Sequence, residues 1–171
     1  RTELASYDLA GQPDVLSVSP DGRFGSIVIE NKRDENINNG AIAQAPAGLL
    51  QTFNITDDVT AWTSSQISLL GFAELLADDP EPVSVDINTD NVAVVSLQKN
   101  NHFVLVDLNA RSVLQHFSAG IADLNQIDVS ADGRIESTES KASVLREPDG
   151  VHWLDTERFA SADVKDGSGG F

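Results

Sequence analysis

Pro13-Asp14-Val15-Leu16-Ser17-Val18-Ser19-Pro20-Asp21-Gly22 and Pro82-Val83-Ser84-Val85-Asp86-Ile87-Asn88-Thr89-Asp90-Asn91 align without a gap. Pro148-Asp149-Gly150-Val151-His152-Trp153-Leu154 opens a third copy, with Phe159 standing where Phe24 stands in the first. Each copy reads proline, strand, tight turn, strand, polar loop. The first two copies add a third strand that ends in a polar turn, Phe53-Asn54-Ile55-Thr56 and Val106-Asp107-Leu108-Asn109. A unit of three or four antiparallel strands repeated along a chain is a propeller blade. The predicted fold is therefore all-β: about two and a half propeller-like blades in one partial domain, 1–171, with repeats starting near 13, 82 and 148. The alternative is a β-sandwich, whose strands and turns look similar. The copies are longer than a minimal blade of roughly 40 to 50 residues, and insertions at 31–48, 64–80 and 121–146 account for the excess.

Alternation of apolar and polar residues carries the strand assignments. Val83-Ser84-Val85-Asp86-Ile87 alternates cleanly, while 92–97 and 103–108 are short apolar runs of buried-strand length. Strands are expected at 15–19, 24–30, 83–87, 92–97 and 102–108. Their turns are Pro20-Asp21-Gly22, Thr89-Asp90-Asn91 and Ala131-Asp132-Gly133, where Gly and Asn tolerate positive φ. A helix is expected only at 64–77, from Leu69, Leu70, Phe72, Leu75 and Leu76, although their spacing is only partly helical.

The chain has 171 residues, 40% of them apolar, enough for one domain with a sizeable core. No apolar run approaches the roughly 20 residues that cross a bilayer, so no membrane insertion is expected. With 27 acidic against 11 basic residues the net charge is -16, and no basic patch offsets it. Nucleic acid is therefore not an expected partner. A carboxylate-rich surface with few lysines suits a secreted protein from a saline setting, or simply a soluble acidic one. Cysteine is absent, which excludes disulfides and thiolate metal sites. The chain opens on Arg1 and closes on Gly167-Ser168-Gly169-Gly170-Phe171, which reads as a processed form or a fragment. Two and a half blades leave a ring open. Self-association, or pairing with a remainder of the propeller, is the expected consequence.

Two stretches carry candidate chemistry. Asp128-Val129-Ser130-Ala131-Asp132-Gly133-Arg134-Ile135-Glu136-Ser137-Thr138-Glu139 fits a twelve-residue calcium loop. Asp128, Ser130 and Asp132 would ligate through side chains, Arg134 through its carbonyl, Glu136 through water and Glu139 with both oxygens, while Gly133 allows the sharp turn. The competing reading is a hairpin whose Asp132-Gly133 is an ordinary turn. The second stretch is the loop after the second strand of the first copy, with Glu30, Lys32, Arg33 and Asp34. Equivalent loops carry Lys99 in the second copy and Asp163, Lys165 and Asp166 in the third. On one face of a propeller these would gather at the channel mouth, where mixed charges could hold a metal and a phosphate; the competing reading is a set of solvated turns. His102, His116 and His152 form no HxH or HExxH motif and read as structural, the first two on a strand pair. No G-x-S-x-G elbow is present.

Taken together, Ser17-Val18-Ser19-Pro20-Asp21-Gly22, Ile29-Glu30-Asn31-Lys32-Arg33-Asp34-Glu35, Asp128-Val129-Ser130-Ala131-Asp132-Gly133-Arg134-Ile135 and Arg146-Glu147-Pro148-Asp149-Gly150-Val151 resemble secreted bacterial β-propeller proteins. The type is the phytase-like esterase and choice-of-anchor kind, some of them called alkaline-phosphatase-like. The resemblance implies a secreted or periplasmic location and a calcium-dependent hydrolase of phosphoesters or esters. The alternative function is a non-catalytic binding or scaffold module with structural calcium. Where similar proteins read T-A-N-E-G-D, this chain has Ser161-Ala162-Asp163-Val164-Lys165-Asp166, so Val164 and Lys165 replace an acidic residue and a glycine.

Overall fold

The computed structural model describes residues 2–30, 36, 46–130 and 132–164. Among them the chain is all-β, with strands in four antiparallel sheets and one 3-10 turn at Val59–Ala61. β1 (Gln12–Val18), β2 (Phe24–Glu30), β3 (Leu49–Asn54) and β4 (Thr63–Ser68) form a four-stranded sheet in chain order. β5 (Pro82–Ile87), β6 (Val92–Leu97), β7 (His102–Asp107) and β8 (Ser112–Ser118) repeat that arrangement in a second sheet. β9 (Ile121–Ile127) and β10 (Glu139–Leu145) make a separate hairpin. β11 (Pro148–Trp153) and β12 (Phe159–Asp163) form the third sheet of the repeat series. The five strands expected from alternation fall on β1, β2, β5, β6 and β7.

The repeat is visible in the turns as well as the strands. Gly22 and Asn91 occupy the same place between the first and second strands of their copies, and both have positive φ, +73° and +62°. Glycine meets that requirement without a Cβ penalty, and asparagine is the side chain that tolerates it best.

The helix expected at 64–77 does not form. Thr63–Ser68 is β4, and its register sets Ile67 opposite Leu50 and Ser64 opposite Phe53. Serine and threonine are poor helix formers because their hydroxyls compete for the backbone, whereas the open edge of β3 supplies a full ladder of partners. Beyond β4 the chain turns through Gly71, at φ +77°, and Leu76, at φ +54°. Leu69 is buried in the core and Phe72 packs against it. The stretch 64–80 is thus partly the fourth strand of its sheet rather than an insertion.

Packing joins the sheets face to face. Phe24, Val28, Leu50, Ile67 and Leu69 of the first sheet and its following turn meet Val85, Ile87, Val95, Leu97, Val104 and Val106 of the second in one cluster. The opposite face of the second sheet places Val94 and Phe103 against Trp153, with Val151 and Phe159 of the third sheet beside them. Trp153 and Phe103 both meet the ring of Phe159 edge-on, at 5.5 and 5.1 Å. The far face of the first sheet carries Ile27, Ile29 and Phe53, partly covered by Tyr7, Leu9 and Ala10. Tyr7 stacks on Trp62, and its hydroxyl donates to the Val59 carbonyl. Face-to-face stacking of this kind occurs in both sandwiches and propellers.

One close approach locks the first sheet to the start of the second. A Cβ on Gly48 would lie 2.3 Å from the Pro80 carbonyl oxygen and 2.5 Å from Pro82 Cδ. Backbone and a proline ring cannot yield as a flexible side chain would. Gly48→Ala is expected to destabilise the fold by about 1–3 kcal/mol, as overpacking does. Urea unfolding of the variant should show a lower midpoint with an unchanged slope.

Candidate functional site

The proline that opens each copy sets a common register, and the fourth residue after it is Ser17, Asp86 and His152 in turn. These three lie on β1, β5 and β11. β1 packs against β5, and β11 packs against both β5 and β6. One position of the repeat is thereby brought together from three strands. Asp86 sits between the other two. Its Oδ1 accepts from Ser17 Oγ at 3.3 Å, and its Oδ2 lies 2.9 Å from His152 Nδ1. The Trp153 backbone N–H donates to the same Oδ2 at 2.8 Å, and its indole N–H donates to the Asp86 carbonyl at 3.2 Å. The carboxylate is sheltered, with 22% of its side chain exposed, while the imidazole is 77% exposed.

A pocket of about 310 Å³ opens over this cluster. Val18, Pro20, Ile87, Trp153 and Leu154 make its apolar wall; Asp86, Asn88, Thr89, His152 and Asp155 supply polar groups. The order of the side chains constrains the chemistry. The carboxylate stands between serine and imidazole, whereas a nucleophilic serine needs the imidazole beside it as base. The arrangement fits orientation of a bound ligand: an apolar wall with a few fixed polar groups at one side.

Polar links also tie the copies together beside the pocket. Asp21 accepts from the Arg23 backbone N–H at 3.0 Å, from the Arg23 guanidinium at 2.8 Å and from the Asn91 side chain at 2.9 Å. The Arg23 backbone and guanidinium, with Ser19 and Asn91, hold its carboxyl far below the usual carboxylate range. Asn91 occupies the equivalent turn of the second copy, so the two turns are joined directly.

The sequence-derived site residues are dispersed. Asp128, Ser130, Asp132, Arg134, Glu136 and Glu139 lie in or at the end of the loop joining β9 to β10. Glu139 closes its neck, accepting from the Val129 N–H at 2.8 Å and from Ser130 Oγ at 3.2 Å. Asp128 accepts from the N–H groups of Ser130 and Glu136, and Asp132 from that of Arg134. Gly133 has φ +83°. Positions 1, 3 and 12 of the proposed calcium loop are therefore linked in one chain of hydrogen bonds that runs through Ser130.

Of the second set, Glu30 ends β2 and Lys99 lies in the β6–β7 turn. Asp163 is paired with Arg146 at 3.0 Å. The neighbouring Gln98 side chain donates to the Val164 carbonyl at 3.4 Å, so the loops of the second and third copies meet. Lys32, Arg33, Asp34, Lys165 and Asp166 lie outside the described residues. Ser17 and Asp86 were within the aligned repeat but were not read as site residues. Their shared register with His152 was the signal: each copy places a polar residue four positions after its opening proline.

Removing the Asp86 carboxylate strands the Trp153 N–H and leaves Ser17 without its acceptor. Asp86→Ala is expected to cost about 1–3 kcal/mol. His152→Ala, on an exposed ring, should cost less than about 1 kcal/mol. Denaturant unfolding of the two variants compares them, and an equal cost would contradict the central role of the carboxylate.

The profile of the choice-of-anchor I domain matches residues 2–159. No curated protein matches the chain at a significant level. The matched span takes in every strand from β1 to β11 and the first residue of β12, with the cluster around Asp86 inside it, and on this ground the chain belongs to the choice-of-anchor I domain family.

Proposed function

We propose that this chain is a propeller segment that serves as a non-catalytic binding or scaffold module outside the cell, with calcium as a structural ion. The observation that carries the reading is the convergence of Ser17, Asp86 and His152. A propeller brings the first strand of each blade to the axis, and equivalent residues of successive blades then face one another. In this reading the pocket over Asp86 and His152 is the ligand site. Asp86 is engaged by Ser17, His152 and Trp153, so its work is to hold the pocket floor in shape. The choice-of-anchor family fits a cell-surface or secreted protein, and no helix among the described residues is long and apolar enough to cross a membrane. The outer edge of β12 has no partner strand among the described residues. Another strand, from the same chain or a second copy, would complete that sheet.

The radial arrangement has a direct test, because the chain has no cysteine to interfere with labelling. Spin labels at Asp14 on β1 and Val83 on β5 report the inner strands. Labels at Ser64 on β4 and Gln115 on β8 report the outer strands of the same two sheets. A propeller predicts a clearly longer distance for the outer pair; equal distances would favour parallel layers of a sandwich.

The catalytic question has its own test. Incubation with p-nitrophenyl phosphate and p-nitrophenyl acetate, in millimolar calcium and in chelator, should give no turnover above background. Calcium should raise the melting temperature, and Glu139→Gln should remove that rise, since Glu139 closes the 128–139 loop. Calcium-dependent hydrolysis lost in Asp86→Asn would replace this reading with the hydrolase one.

A further inference from the structure

His102 opens β7, and its register sets it opposite Ser118, while Val104 lies opposite His116 of β8. The two imidazoles are thus diagonal neighbours on one face of the sheet. Their ring centroids are 5.3 Å apart, and His102 Nε2 lies 3.1 Å from His116 Nδ1. His102 is buried and His116 is exposed. Phe72 packs its ring 5.2 Å from His116 and flanks the pair. A pocket of about 150 Å³ opens beside them, lined by Glu74, Asn100, Asn101, His102 and Ser118.

The loop that carries Glu74 is fastened to this pocket. The Asn100 side-chain NH₂ donates to the carbonyls of Leu75 and Leu76 at 3.0 Å each, and to that of Asp79 at 3.1 Å. Asn100 is two residues before His102. The segment just after Glu74 is therefore tied to the start of the strand that presents the imidazole.

We propose that His102, His116 and Glu74 form a binding site for a divalent transition-metal ion of the zinc class. A nitrogen separation of 3.1 Å, with metal–nitrogen bonds of about 2.0–2.1 Å, corresponds to an angle of about 100° at the metal, near the tetrahedral value. Imidazole nitrogens suit zinc, copper and nickel; calcium prefers an all-oxygen shell, so this site differs in kind from the 128–139 loop. Among the described residues no three such side chains already surround one point. Glu74, which lines the pocket beside His102, joins the two rings on binding and water completes the shell, so the ion replaces the hydrogen bond between the rings. Burial, then the neighbouring His116, pushes His102 below its ordinary value, while the Glu74 charge opposes them. Both causes disfavour the charged ring, and the neutral imidazole is the form that binds metal.

The test is calorimetric titration of the chelator-stripped chain with Zn²⁺ alone, alongside NMR of the imidazole rings. One equivalent should bind and shift the His102 and His116 resonances together. His116→Gln, an exposed position that keeps a hydrogen-bonding partner for His102, should weaken binding by about tenfold or more. Glu74→Gln should weaken it in the same direction. No binding, or binding equally tight in His116→Gln, overturns the proposal; so does Zn²⁺ binding lost in Glu139→Gln but kept in His116→Gln.

Discussion

The central strands of the second sheet have no face left for water, and the rest of the structure follows from that. Val94 and Val95 are consecutive in β6 and point to opposite sides, yet both are fully buried. A strand that is apolar on both faces needs a layer on each side. The first sheet supplies one with Phe24, Val28 and Leu50, and the third sheet supplies the other with Trp153 and Phe159. Each fully buried aliphatic side chain contributes roughly 1.5–3 kcal/mol of transfer free energy, so this double burial outweighs any single polar contact in the chain. The outer strands face a weaker demand: β8 is mostly exposed, and its polar residues alternate with Val113 and Phe117.

Layering of this kind determines where polar groups can meet. Once the first and third sheets lie on either side of the second, β1 and β11 both reach β5. Asp86 then occupies the middle of three strands, where its charge is sheltered and must find donors. Ser17, His152 and the Trp153 N–H provide them. The pocket is a consequence of the same geometry, since its apolar wall comes from Val18, Ile87 and Trp153, the next residues along the three strands. Hydrophobic stacking sets the position, and the hydrogen bonds set the orientation within it.

Much of this architecture was legible in the residues. Strict alternation at Val83-Ser84-Val85-Asp86-Ile87 and the apolar run from Val92 to Leu97 identified β5 and β6, because burial on one or both faces leaves different periods in the sequence. β4 was hidden for a physical reason. Thr63-Ser64-Ser65-Gln66-Ile67-Ser68 carries one strongly buried apolar side chain, Ile67, and is held as a strand by the edge of β3. That information lies elsewhere in the chain. The hydrogen bonds of the 128–139 loop were equally out of reach: spacing indicates which oxygens could converge but not which backbone N–H groups they accept from. The cluster around Asp86 was available in the repeat alignment, yet a serine, an aspartate and a histidine look unrelated until three strands are known to be adjacent.

That convergence places a limit on how alike the copies can be. Where equivalent residues do not meet, duplication can keep the same residue in every copy, as the three opening prolines do. At the Ser17, Asp86 and His152 position it cannot, because Ser17 and His152 both reach the Asp86 carboxylate. Three aspartates would confront three like charges in a sheltered space, and three histidines would crowd rings into the room that one occupies. Divergence there is a condition of the copies packing together at all. A synthetic version built by averaging the repeats into one idealised unit would erase it, and would fail at the point where its symmetry was most complete.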